Sequence, residues 1–184
     1  MNRLAAWTLA AGLACVIAPN IAGIANAAGA APPTPQALLT DAILCKGDPL
    51  AAVRKLAEGG SSHFDQGFAA TTIGEEMDEM NVVILRSPLE IGGAKTSAIL
   101  MTLAQGEEDF GGIVYGRFRG DYHKAVSALK LVPTAKKDGL RLGQFTRAMA
   151  VDVDGKPEKV CPMTIALTPQ ENGTFLLGCG WCNG

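Results

Sequence analysis

Cys161, Met163, Ile165 and Leu167 stand at alternate positions, and after a polar break Phe175, Leu177 and Cys179 do the same. Side chains of a strand alternate between faces, so each set occupies one face. The break, Thr168-Pro169-Gln170-Glu171-Asn172-Gly173, supplies turn residues, and the whole predicts a β-hairpin. Setting Ile165 opposite Phe175 puts Met163 against Leu177 and Cys161 against Cys179. Opposed antiparallel residues have Cα atoms about 4.5–5.5 Å apart, within disulfide reach. The expected bridges are therefore Cys161–Cys179 and Cys45–Cys182. Cys179–Cys182 with Cys45–Cys161 is the rival pairing.

Upstream, the pattern changes to helical spacing. Thr34-Pro35 reads as a helix cap followed by proline at the first helical position, opening a helix that runs to about Cys45. Asp48-Pro49 repeats the signal, with Leu50, Val53, Leu56 and Ala57 on one face up to Glu58. Phe68 to Ile73 is a candidate short strand. Val82 to Leu85 and Ser97 to Leu103 form a strand pair, joined by a turn from Ser87-Pro88 to Gly92-Gly93. In the strand Ile113 to Arg119, Val114, Gly116 and Phe118 face one way, whereas Tyr115, Arg117 and Arg119 face the other. Asp121 caps a third helix with Tyr122, Val126 and Leu129 as its expected buried stripe, and Pro133 stops it. A polar loop from Thr134 to Gly139 precedes a strand from Phe145 to Val151, and Asp154-Gly155 makes a hairpin turn.

Strand runs joined by tight turns, with few helices, predict an α+β fold. The expectation is an antiparallel sheet of about six strands with helices packed on one face, stabilised by disulfides. Gly93–Phe118 and Gly155–Trp181 share an order of turn, strand, polar turn and strand, which suggests two helix-plus-sheet repeats.

The first residues have a different character. Arg3, an apolar run from Leu4 to about Ala18 and the small-residue tract Ala25-Asn26-Ala27 make a Sec-type signal peptide over residues 1–27. Pro19 and Asn20 interrupt the run before it reaches the roughly 20 apolar residues of a membrane span. A lipoprotein would be acylated at Cys15, but Gly12 stands where a branched apolar residue is expected. Residues 28–35 read as a disordered lead-in, and 36–184 as a single α+β domain. Cleavage near Ala27 gives a periplasmic or extracellular protein with no transmembrane segment. It also removes Cys15, leaving Cys45, Cys161, Cys179 and Cys182, an even set suited to an oxidising compartment.

Charge adds little. Ala28 to Phe110 holds 12 acidic and 5 basic residues, whereas Gly111 onward holds 10 basic and 6 acidic. This asymmetry is too small to argue for nucleic acid.

Candidate chemistry is sparse. Cys179-Gly180-Trp181-Cys182 has redox CxxC spacing but no following helix to lower a thiol pKa, so it reads as structural. A zinc site would need more ligands than Cys161 and two scattered histidines supply. His63 follows Ser61 and Ser62 without a nucleophile elbow, and His123 lies in the first turn of a helix, a poor place for a charged imidazole. Asp152-Val153-Asp154-Gly155 lacks the closing glutamate of a calcium loop. Glu75, Glu76, Asp78 and Glu79, with Glu107, Glu108 and Asp109, read as solvated loops. No catalytic residue, metal site or cofactor is assigned. The most suggestive surface is Tyr115, Arg117, Arg119, Tyr122 and His123, with Trp181 as a second anchor, because arginine and aromatic residues concentrate at interface hot spots. A charged edge strand is the plainer reading of the same residues.

The expectation is an exported, non-catalytic protein that binds another protein, as an inhibitor or immunity-type partner. The alternatives are a small secreted hydrolase using His63 or His123, and an envelope-associated structural component.

Overall fold

The computed structural model describes residues 33–58, 63–74, 79–104, 111–135 and 143–182. Among them the chain forms α1 (Pro35–Ile43), α2 (Pro49–Ala57), β1 (Phe68–Ile73), β2 (Met80–Ile91), β3 (Ala94–Ala104), β4 (Gly111–Arg119), α3 (Tyr122–Leu129), β5 (Val132–Pro133), β6 (Phe145–Ala148), β7 (Thr164–Pro169) and β8 (Thr174–Cys182). The signal-peptide reading, the lead-in up to residue 32, and the acidic loops apart from Glu79 lie outside the described residues, whereas the end of the expected disordered lead-in is ordered, with Thr34 capping α1 and Pro35 as its first residue.

The helix starts follow from local chemistry. Thr34 Oγ1 accepts from the Ala37 N–H at 3.2 Å, Asp48 Oδ1 from Ala51 at 3.0 Å, and Asp121 Oδ1 from His123 at 2.9 Å. Each cap satisfies one otherwise orphaned donor. Proline at the first position of α1 and α2 gives up no helical hydrogen bond. After α1 the chain turns through Cys45, held in the left-handed region at φ 53°.

The strands make one eight-stranded sheet in the order β1-β2-β3-β4-β8-β7-β6-β5, with every neighbour antiparallel. β1 to β4 form a meander. The chain then crosses to the far edge through α3, and β5 to β8 meander back until β8 closes against β4. That central seam pairs Gly111–Arg119 with Thr174–Cys182, and Tyr115 opposite Gly178 lies at its midpoint. Gly93–Phe118 contains β3 and β4, and Gly155–Trp181 contains β7 and β8, so the two similar stretches flank the seam from opposite sides.

The core lies on the sheet face under α1 and α2. Val83, Ile99, Met101, Val114, Phe118, Ile165, Leu167, Phe175, Leu177 and Cys179 are buried there with Leu39, Ile43, Val53 and Leu56 from the helices. Each large side chain buried this way contributes about 1.5–3 kcal/mol. The Phe118 and Phe175 rings stack across the seam with centroids 5.8 Å apart.

The mixed α+β class stands, with corrections of detail. The sheet has eight strands rather than about six, because the short β1 and the two-residue β5 extend it at both edges. β2 continues through Ser87-Pro88 by a register shift between Ile84 and Leu89, and the turn is confined to Gly92-Gly93. Of the three helices only α1 and α2 lie across the sheet. α3 packs at its end, with Tyr122 near the Phe145 ring and the Arg147 Nη1 donating to the Leu129 carbonyl at 2.7 Å. Its fully buried residue is Ala125, and the expected stripe of Tyr122, Val126 and Leu129 is half-buried against the core. A Cβ placed on Gly92 would come within 2.9 Å of the Ala125 Cα, so the helix approaches too closely for larger side chains.

The closing hairpin differs in register. Ile165 faces Cys179, Leu167 faces Leu177, and Pro169 faces Phe175. The reversal centres on Asn172 and Gly173, both at positive φ (59° and 65°), rather than midway along the polar break. A slip of four residues keeps every side chain on its expected face but changes its partner. Cys161 falls outside β7 and cannot face Cys179. The disulfides are accordingly Cys45–Cys179, with Cα atoms 5.2 Å apart, and Cys161–Cys182, at 5.9 Å. Neither Cys161–Cys179 nor Cys45–Cys182 forms.

Candidate functional site: the open face of the sheet

Among the described residues no helix packs on the second face of the sheet. Alternation along β4 that buries Val114, Gly116 and Phe118 sends Ile113, Tyr115, Arg117 and Arg119 to this open side. Cross-strand pairing extends it in rows. One row runs Thr71, Val82, Leu100, Tyr115, Gly178 and Ala166, and beside it Arg117 faces Leu176, which faces Thr168. Ile84 lies on the same side and is 55% exposed, whereas Val82, Leu100, Ile113, Tyr115 and Leu176 are half-buried.

Glycine shapes the middle of this surface. Gly178 lies beside Tyr115 on the seam, and a Cβ there would sit 2.7 Å from the Tyr115 Cβ. The missing side chain lets the tyrosine rest against the backbone of β8. The arginines line the end of the face nearest the β7–β8 turn. Arg117 Nε donates to Thr174 Oγ1 at 3.3 Å, and the Thr174 hydroxyl donates to the Glu171 carbonyl at 2.9 Å. Arg117 also borders an open pocket of about 420 Å³ with Pro169, Gln170, Glu171 and Asn172. Arg119 is exposed opposite Lys95, which pairs with Glu90 at 3.5 Å.

The six residues singled out in the sequence do not form one cluster. Tyr115, Arg117 and Arg119 share the open face. Tyr122 and His123 follow just beyond Gly120 on α3, their rings 3.9 Å apart between centroids. Trp181 lies on the opposite, helix-covered face, only 4% exposed, with its ring over Gly112. Seven positions along β8 separate it from Thr174, about 23 Å at strand rise. Sequence reasoning missed Val82, Ile84, Leu100 and Leu176. The alternation of β2 and β3 was the available signal, but a run apolar at both parities does not say which face is uncovered.

The remaining candidates have ordinary surroundings. His63 stacks on Phe68 at 4.9 Å. Asp152 accepts from the Lys156 N–H at 2.8 Å within a hairpin turn that has Gly155 at φ 77°. Glu79 Oε1 accepts from Asn81 Nδ2 at 2.7 Å. Among the described residues no three His, Cys, Asp or Glu side chains are gathered to hold a metal ion, and no helix is long and apolar enough to cross a membrane.

No protein-family model matches the chain, and neither the curated proteins nor the solved structures give a significant match.

Proposed function

We propose that this is an exported, non-catalytic binding protein that recognises another protein through the open face of its sheet, as an inhibitor or immunity-type partner. The observation that carries the reading is the composition of that face: Tyr115, Leu100, Ile84 and Leu176 beside Arg117 and Arg119, on the side of the sheet where no helix of the described residues packs. An apolar centre with an aromatic residue and flanking arginine is the arrangement that protein interfaces favour. The arginines suit a partner whose docking surface carries carboxylates at its rim.

Rigidity supports the same reading. β8, at the middle of the sheet, is tied to the α1–α2 elbow by Cys45–Cys179. A surface held this way loses little conformational freedom on association, which favours binding. Two disulfides also suit a protein that works in an oxidising compartment.

The test is affinity isolation from periplasmic extract with the wild-type chain and with Arg117→Glu/Arg119→Glu. The reading expects a defined partner with the first and its loss with the second. Retention of the same partner by the variant contradicts it. His63→Ala/His123→Ala separates binding from hydrolysis, since a binder keeps its partner and its effect. Loss of function in that variant with an unchanged fold would favour an enzyme.

A further inference from the structure

Val160 is 95% exposed, the most of any large apolar residue among those described. Its segment is tied down on every side. Glu158 Oε1 accepts from the N–H groups of Lys159, Val160 and Cys161 in succession. The Glu158 N–H donates to the Ala150 carbonyl at 3.1 Å, and the Met163 N–H to the Val151 carbonyl at 2.7 Å, so both flanks are pinned to the fold. Cys161, next in the chain, is bridged to Cys182. A lone apolar side chain on a surface means little. One whose backbone is fixed at three consecutive amides and then covalently anchored is held away from the apolar surfaces of its own fold.

The anchor places this segment beside the open face. Leu176, Gly178 and Gly180 lie opposite Arg117, Tyr115 and Ile113 on that side, and the same alternation puts Cys182 there, opposite Gly111. Its bridge to Cys161 therefore sets Glu158 to Cys161 at one end of the face. Arg117 and Arg119 line the other end. Gly111 to Arg117 is six positions along β4, roughly 20 Å at strand rise.

We infer that Val160 is a second anchor for the partner of the open face, entering an apolar socket on that protein while exposed Lys159 meets a carboxylate at the socket's edge. This second anchor rests on the open face being the binding surface, and it adds a specification of the partner. That protein presents carboxylates to Arg117 and Arg119 at one end of its docking surface and an apolar depression at the other. One partner reaches both ends, because a standard interface of about 800 Å² per side is a patch roughly 30 Å across. The Glu158 bonds and the disulfide order the segment before association, so docking Val160 sacrifices little conformational freedom.

The test places a diazirine amino acid at position 160 and, separately, at Leu100 in the disulfide-bonded protein, with irradiation in periplasmic extract. The same protein adduct is expected from both positions. The Leu100 adduct should fall at least about tenfold in the Val160→Asp variant and stay within about twofold in Val160→Ile. The side chain stands in solvent in the single chain, so neither change touches the core. A Leu100 adduct that survives Val160→Asp, or that has no counterpart at position 160, overturns the second anchor and leaves the open face as the binding surface. Different proteins from the two positions, or an adduct from position 160 alone, also overturn it. No adduct from either position overturns the second anchor and the open-face reading together.

Discussion

Cys45 and Cys179 are 134 residues apart in the chain and 5.2 Å apart at their Cα atoms. The bridge joins the elbow between two helices to the middle strand of the sheet. It therefore ties together parts of the fold that assemble from opposite ends of the domain.

Closing a loop of this length restricts the unfolded chain by about 5 kcal/mol in the entropy model, against about 3 kcal/mol for the 21-residue separation of Cys161–Cys182. Cys45→Ala/Cys179→Ala should thus lower unfolding free energy more than Cys161→Ala/Cys182→Ala. Urea unfolding of the two double variants measures the difference.

The bridges also differ in access. Cys45 is 2% exposed and Cys179 is fully buried, whereas Cys161 and Cys182 are half-buried. Thiol exchange requires in-line approach of a thiolate to sulfur. Limiting dithiothreitol followed by alkylation and mass spectrometry should label Cys161 and Cys182 first, with Cys45 and Cys179 reacting only as the fold opens.

Gly178 is at the seam where the two halves of the sheet meet. A Cβ there would lie within 2.8 Å of the Tyr115 Cα and against the Val114 carbonyl, and these β4 atoms include no flexible side-chain end that could yield. Gly178→Ala should destabilise by about 1–3 kcal/mol through overpacking. Thermal unfolding measures the loss, and a variant as stable as wild type would show that the seam can relax.

Glu158 organises the segment before Cys161. Its Oε1 accepts from the Val160 and Lys159 N–H groups at 2.6 Å each and from Cys161 at 3.3 Å. Bonding from Val160, then from Cys161 and Lys159, holds its carboxyl below the usual glutamate range. The folded value is the lower one, so the stabilisation is complete above the unfolded value and is lost as pH falls through the folded value. The Val160 amide resonance should follow that acidic transition in wild type and lose it in Glu158→Gln.

Much of this fold is legible in the chain because its signals are local. Thr34-Pro35, Asp48-Pro49 and Asp121 mark helix starts through side chains that reach their own backbone. The alternation of Val114 with Tyr115, Arg117 and Arg119 sorts β4 correctly because parity needs no knowledge of neighbours. What is not legible depends on distant partners. The register of β7 on β8 turns on whether Pro169 or Asn172-Gly173 holds the reversal, and a slip of four preserves every face. The bridge partners therefore change while the pattern stays the same. Ala125 is buried more deeply than the larger residues of the α3 stripe, and Gly92, far off in sequence, is what comes close to it. Val132-Pro133 reads as a helix stop, yet it pairs with Thr146 and Phe145 to end the sheet. Half the site was hidden for the same reason, since Val82, Ile84 and Leu100 become a surface only once the helices have chosen the other side.

The most direct measurement is site-specific photo-crosslinking in periplasmic extract, with the probe at Leu100 on the open face and, separately, at Ala51 on the exposed side of α2. Position 100 should give one protein adduct and position 51 none. An adduct formed only from position 51 would place recognition on the helical side and contradict binding through the open face.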